Sequence, residues 1–360
     1  MKPIALTPNQ PPQFYRGGSV IASFRGVTPV DEHRPEDWIG STTARSGAGD
    51  GEGLTTLPDG RLLREAVRED PEGWLGAAHA AAIGADPGLL VKLLDAGERL
   101  PVHVHPTRPF ARRHLGCSYG KTEAWVVLAA DGPDARVHLG FTRDVEADEL
   151  ERWMATQDAR AILSSLHAVN VATGDAVLVP AGLPHAIGAG IFCLELQEPS
   201  DFSLMLEWEG FELDPRDARL GLDADVAREC VQRHALSQDR LDWLRSRGTR
   251  APFHHDPVER LFPEDADPFF RAERVRPGGG RVELTPGFAI LVVIEGSGRL
   301  ETERGDTLAL AAGSTTLIPH GAGVTTLSGP LVAVRCRPPS VEDALADGLG
   351  APGGDRKDVA

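Results

Sequence analysis

Residues 89–106 read LLVKLLDAGERLPVHVHP, and one loop later residues 119–125 read YGKTEAW. The centre of this stretch is His103-Val104-His105. On a strand, side chains two apart share a face, so both imidazoles project into one space. Taken alone, such a pair is usually an ordinary half-exposed strand. Here Gly97 precedes it and Glu123 follows it, and further on come Gly174-Asp175 and then Pro180-x-Gly182-x-x-His185. Together these units favour a metal site with His103, His105, Glu123 and His185 as ligands. Three neutral imidazoles and one carboxylate suit Zn2+ first, with Fe2+ or Mn2+ as alternatives.

The two units resemble the paired motifs of the cupin superfamily, although the gap before Glu123 is unusually long. The words around them resemble the type I mannose-6-phosphate isomerase family, its short bacterial members more than the longer eukaryotic ones. KLLDA (92–96), VHP (104–106), GKTEAW (120–125), GDAVLVPAGLPHAIG (174–188) and LELQEPSD (194–201) carry the likeness in the family's order. It runs from about Tyr15 to Pro338. The resemblance implies a mainly β chain, with two cupin jelly-roll barrels or sandwiches and a small helical segment. The expected division is a catalytic unit over 1–210, helices over 211–250, a metal-free cupin-like unit over 251–340 and a flexible acidic tail over 341–360.

The composition agrees. A chain of 360 residues has room for two or three cores. The net charge of −16 argues against nucleic acid or an anionic membrane as partner, yet a local cationic pocket for a phosphorylated substrate stays open. Cys117, Cys193, Cys230 and Cys336 are scattered without metal or redox spacing, as in a reduced, cytoplasmic protein. The first residues hold no long apolar run, so neither a signal peptide nor a membrane span is expected. A monomer or homodimer acting on a small sugar or sugar phosphate is the expected form.

Along the chain, FYRGGSVIASFRG (14–26) reads as a strand with a glycine turn, and residues 47–60 as a loop. The pattern between Leu62 and Gly84 is helix-prone, broken at Pro71 and Gly73, with His79 on a helix face. Lys92 interrupts an apolar strand; burial without a partner is costly, so it is expected to face a polar cavity, an edge lysine reaching solvent being the alternative. Arg108, Arg112, Arg113, His114 and Lys121 form a cationic loop suited to an anion, or simply solvated charges. Asp144 is a candidate N-cap for a helix with Val145, Leu150, Trp153 and Met154 on its apolar face. Asp223 to Gly248 reads as helical, and His254-His255 as surface. GSTTLIPHGAGV (313–324) echoes the second unit, but the ligand histidine's position holds Val324.

By resemblance, the chain interconverts an aldose and a ketose phosphate, mannose 6-phosphate and fructose 6-phosphate, through a cis-enediol. Glu195 matches the family's acid–base residue, and Lys121 joins it as a catalytic candidate. Lys92, Trp38 and Arg113 are the substrate-binding candidates, Trp38 being either core or a wall of the sugar pocket. Two departures stand out. The first ligand position, normally glutamine, holds His103; a family arginine ten residues after the glutamate is replaced by Met205, which donates no hydrogen bond. An isomerase of an unphosphorylated sugar, an Fe2+ oxygenase and a non-catalytic sugar sensor are therefore the competing readings.

Overall fold

The computed structural model describes residues 1–47, 49, 51–246 and 256–349. His254 and His255 lie outside the described residues. The strand Leu90–Ala96 is buried along its whole length, as its apolar run dictates, and lies next to the edge strand of a six-stranded antiparallel sheet. The order in that sheet is Arg245–Ser246, Ala176–Val179, Glu123–Ala130, Ile191–Gln197, Leu90–Ala96, Glu36–Ile39. A five-stranded sheet packs against it, in the order Leu204–Met205, His103–Val104, His185–Ile187, Arg136–Phe141, Leu166–Asn170.

The second β unit is built on one long strand, Ala289–Thr302. Its first half pairs with Thr315–Ile318 and Leu331–Arg337, its second half with Thr307–Ala311 and Thr325–Ser328. A register shift between Val293 and Glu295 marks where it passes from one sheet to the other. Gly296 follows at φ 73°, and a Cβ there would lie 2.0 Å from the Pro330 carbonyl oxygen. Both units are mainly β and antiparallel, open sandwiches rather than closed barrels.

The six-stranded sheet is covered on both faces. Val91, Leu93, Leu194 and Leu196 share one core with Phe270, Phe288 and Ile290 of the second unit. Their neighbours Lys92 and Glu195 alternate to the opposite face, which borders a cavity. This double burial explains why the strands read as continuous apolar runs.

Several local expectations change. Ser19–Arg25 is a helix rather than a strand, opened by Gly18 and closed by Gly26, both at positive φ. Residues 63–82 make three short helices, divided at Asp70 and Gly76; Gly73 lies inside the second. The helix Ala147–Thr156 begins after Glu146, while Asp144 instead accepts from the Ala235 N–H at 2.7 Å. Residues 223–246 hold two separate helices, Ala224–Glu229 and Gln238–Leu244, the latter capped by Ser237. The expected division into units is also crossed twice. The strand Ile4–Ala5 pairs with Thr316 and Leu317 of the second unit, and Arg245–Ser246 joins the first. Nor is the start of the expected flexible tail loose: Val341–Ala346 is a helix, and Ala344 and Leu349 are buried with Ile83 and Tyr119. Among the described residues no helix is long and apolar enough to cross a membrane.

The N-terminal helix is tied to both units through Arg25. Its Nε lies 3.1 Å from Asp37 Oδ2, with both side chains almost fully buried. Its Nη1 and Nη2 donate to the carbonyls of Gly313 and Leu6. Removing one member of such a pair strands the other charge. Arg25→Ala is expected to cost about 3–5 kcal/mol, read as a lower denaturant midpoint, and Arg25→Met with Asp37→Leu should recover most of it. A single variant as stable as the parent would show that the pair carries no weight.

Candidate metal centre and adjoining cavity

His103 and His185 stand directly opposite each other on adjacent strands, and His105 follows two residues on from His103. The candidate ligand nitrogens of the three rings lie within 4.8 Å of one another. Every ring spends its Nδ1 on a backbone carbonyl: His103 on Pro101 at 2.8 Å, His105 on Phe202 at 2.8 Å, and His185 on Leu183 at 2.7 Å. A carbonyl can only accept, so Nδ1 carries the proton and Nε2 presents a lone pair.

Glu123 enters from the facing sheet. Its Oε2 is 2.8 Å from His105 Nε2, and its Oε1 is 3.3 Å from His185 Nε2. Trp125 Nε1 donates to the same carboxylate at 3.1 Å. Both of those imidazole nitrogens are buried and lack a hydrogen-bond partner. Lone pairs that face a carboxylate repel it, and a divalent cation between them converts all the donors into ligands. The residues fit a divalent metal.

The protonation states point the same way. Burial, then the Lys121 ammonium, pushes the His105 imidazole down to about 3. Burial, then the two neighbouring imidazoles, holds His103 well below its ordinary value. Burial opposes ionisation of Glu123, but the His105 side chain and Lys121 outweigh it and keep the carboxyl well below its usual range. Neutral rings around an ionised carboxylate are the state a metal takes up without displacing protons.

Local backbone geometry sets the third imidazole. Gly182 donates its N–H to the His105 carbonyl at 2.7 Å and accepts from the Gln232 N–H at 2.8 Å. It does so at φ +86°, a conformation that suits glycine. The turn between Pro180 and His185 is thereby fastened to the strand carrying the other two rings.

A cavity of about 610 Å³ opens beside the histidines, with His103, Lys92, Lys121, Glu123 and Glu195 on its wall. Register explains the grouping: Glu195 lies between Lys92 and Trp125 on the neighbouring strands, and Trp38 lies beside Lys92. Trp38 is fully buried beneath this wall, with Lys92 Nζ 4.6 Å from its ring centroid. Lys121 Nζ is 3.6 Å from Glu123 Oε2 and 3.5 Å from Ser203 Oγ. Burial first, and the Glu123 carboxylate second, raise the Glu195 carboxyl well above its ordinary value, with Lys92 and Lys121 pulling the other way.

The cationic loop is placed differently from the expectation of an anion site. Arg113 is exposed and does not line the cavity. Arg112 bonds the Gly348 carbonyl, and Arg108 is buried in ion pairs with Glu198 at 2.6 Å and Asp347 at 2.9 Å. The sequence reading also missed Glu36, whose carboxylate collects Tyr15 OH and Trp38 Nε1 at 2.6 Å each, Gln13 Nε2 at 2.9 Å and Lys92 Nζ at 3.2 Å. The signal was available, since Glu36 and Trp38 share a face of EDWI. Asp201 and Arg45 also line the cavity and were not singled out.

Comparison with known proteins extends the likeness carried by the motifs. No family model matches the chain. It is 29% identical over 244 residues to mannose-6-phosphate isomerase ManA of Bacillus subtilis, covering 67% of this chain and 72% of that protein. It is 28% identical over 233 residues to the mannose-6-phosphate isomerase of Streptococcus mutans, covering 64% of this chain and 68% of that one. Among solved structures, the mannose 6-phosphate isomerase from Bacillus subtilis matches with a TM-score of 0.72 at 22% identity, over 94% of this chain and 100% of the other. A variant of phosphomannose isomerase from Salmonella typhimurium gives 0.71 at 16% identity, with the same two coverages. The fold is thus the one these isomerases share, and the sequence is similar to theirs over about two thirds of its length.

If the centre holds a divalent ion, elemental analysis of purified protein should find one per chain. His185→Ala should weaken it by at least the roughly 10–100-fold that loss of an outer-shell partner brings, measured by competition with a chromophoric chelator. Gly182→Ala removes no ligand, yet strain of about 1–3 kcal/mol at its positive φ should also lower the affinity. Unchanged affinity in His185→Ala would remove His185 from the ligand set.

Proposed function

We propose that this chain is a metal-dependent aldose–ketose isomerase that works as its mannose-6-phosphate isomerase relatives do. The observation that carries the reading is Glu195, a buried carboxyl on the wall of a cavity that His103 and Glu123 also line. His103, His105, Glu123 and His185 would hold the ion, zinc being the best match to the donors. When bound, it would supply Lewis-acid polarisation of the sugar's carbonyl and hydroxyl oxygens.

The remaining steps belong to the chain's own side chains. Glu195 takes the proton from C2 of the aldose while Lys121 gives one to the C1 carbonyl oxygen, making the cis-enediol. The same carboxyl then returns its proton to C1 while Lys121 takes back the proton of the C2 hydroxyl, which becomes the ketone. A carboxyl raised above its usual range is suited to both halves of that exchange. Lys92 and Lys121 orient the oxygens from opposite sides, and the Glu36 clamp holds Lys92 charged. Burial raises this lysine's neutral-form preference, but Glu36 and then Glu195 outweigh it and shift its pKa upward. Enclosure between two sheets limits water at the reacting carbons. The scattered cysteines, without metal or redox spacing, fit a cytoplasmic setting, with a monomer or homodimer as the working form.

Deuterium incorporation at C2, followed by NMR in D₂O with metal-loaded protein, tests the reading. Glu195→Gln should lower exchange by roughly 10²–10⁴-fold while metal content is preserved. The base must be ionised, so kcat/KM should fall as pH drops through a value above the usual 4.5 of a glutamate. Burial, the larger cause of the shift, does not depend on what the histidines hold. Exchange that persists in Glu195→Gln would assign the proton transfer elsewhere.

A further inference from the structure

The cavity is unusual in the balance of its charges. Glu36, Glu123, Glu195, Asp201, Glu212 and Asp217 border it, against only Arg45, Lys92 and Lys121 among the described residues. All three cations are already paired. Lys92 Nζ is 3.2 Å from Glu36 Oε2, Lys121 Nζ 3.6 Å from Glu123 Oε2, and Arg45 Nε 3.3 Å from Glu52 Oε2. The Ser46 N–H beside Arg45 is spent on Asp201 Oδ2 at 3.1 Å. A dication at the histidines still leaves the lining one negative charge in excess. Protonating one carboxylate would bring it to neutrality without freeing a cation.

We infer that the sugar this cavity accepts carries no phosphate or other anionic group: it is a neutral aldose. The inference deepens the isomerase reading and rests on it. A phosphate monoester brings a charge near −2 and wants unoccupied charge-assisted donors. Here the donors of Lys92 and Lys121 sit against Glu36 and Glu123, so the dianion would meet those carboxylates at close range in a lining that is already net negative. Sugar hydroxyls have the opposite needs. They donate to a carboxylate such as Asp201 and accept from ammonium groups, and they add no charge to the lining. The strand position opposite His103 points the same way. It is Met205, a cavity-lining thioether that adds apolar surface and no donor.

The test gives metal-loaded full-length protein a panel of free aldohexoses and aldopentoses beside their phosphate esters. Binding is read by calorimetry and C2 exchange by NMR. At least one free aldose should bind and exchange about tenfold or more better than its ester, because like charges in an interface are strongly disfavoured. Inorganic phosphate at millimolar levels should not compete. Met205→Arg should move the preference toward the ester by a similar factor. Tighter binding or faster exchange of an ester than of its free sugar, or competition by sub-millimolar phosphate, would overturn the inference. So would failure of every free aldose to bind. Free aldoses that bind in preference to esters without any exchange would support the neutral ligand and sink the isomerase reading alone.

Discussion

Three imidazole nitrogens and a carboxylate converge as buried side chains, and much of the first unit serves to hold them there. Each ring is aimed by the carbonyl that takes its Nδ1 proton, and those carbonyls belong to Pro101, Leu183 and Phe202, in three different connecting segments. Losing any of these bonds would free a ring to rotate and offer the wrong nitrogen. Glu123 is fixed in turn by Trp125, two residues along its own strand. The arrangement sets the lone pairs of His105 and His185 against the Glu123 carboxylate, a donor set that fits a divalent cation.

That preorganisation depends on register. Trp38, Lys92, Glu195 and Trp125 form one row across the six-stranded sheet. A slip of one residue would carry Lys92 and Glu195 into the core and Val91 or Leu194 into the cavity. The second β unit guards against this, because it covers the face from which Val91, Leu93, Leu194 and Leu196 project. Its contribution is therefore to the chemistry's alignment. The N-terminal strand Ile4–Ala5, stitched into the far unit before the chain returns through Gln13 and Tyr15 to Glu36, makes the same connection covalently.

What could be read from the sequence follows from this anatomy. The grouping of His103, His105 and His185 was legible because strand alternation and two short motifs encode it locally, and the apolar runs gave the mainly β architecture. Arg113 was not placeable, since nothing in a run of loop cations says which are spent on distant partners. Arg108 turned out to answer Glu198 and Asp347, the latter 239 residues away. Ser19–Arg25 misled for a different reason: Val20 and Ile21 are good strand residues, but glycines at positive φ on either side open and close about two turns of helix. The start of the tail misled because composition records charge and glycine content, whereas Ala344 and Leu349 find a small apolar recess against Ile83 and Tyr119.

Glu36 and Glu195 show how much the surroundings, rather than residue type, decide. Both are buried carboxyls on one cavity wall, and burial alone would raise both. Around Glu36 the Lys92 ammonium leads a set of donors, including Tyr15 and Trp38, that overcomes burial and holds the group ionised. Around Glu195 the second influence is another carboxylate, so burial is reinforced and the proton is held more tightly. A carboxyl saturated with donors is a poor shuttle, because each bond must weaken before a proton can join it. One flanked by a like charge holds a proton more readily than an ordinary carboxyl and can still release it. The wall therefore separates two tasks between identical side chains. On the proposed reading, Glu36 fixes the lysine that would face the substrate, and Glu195 is the carboxyl left free to move the proton.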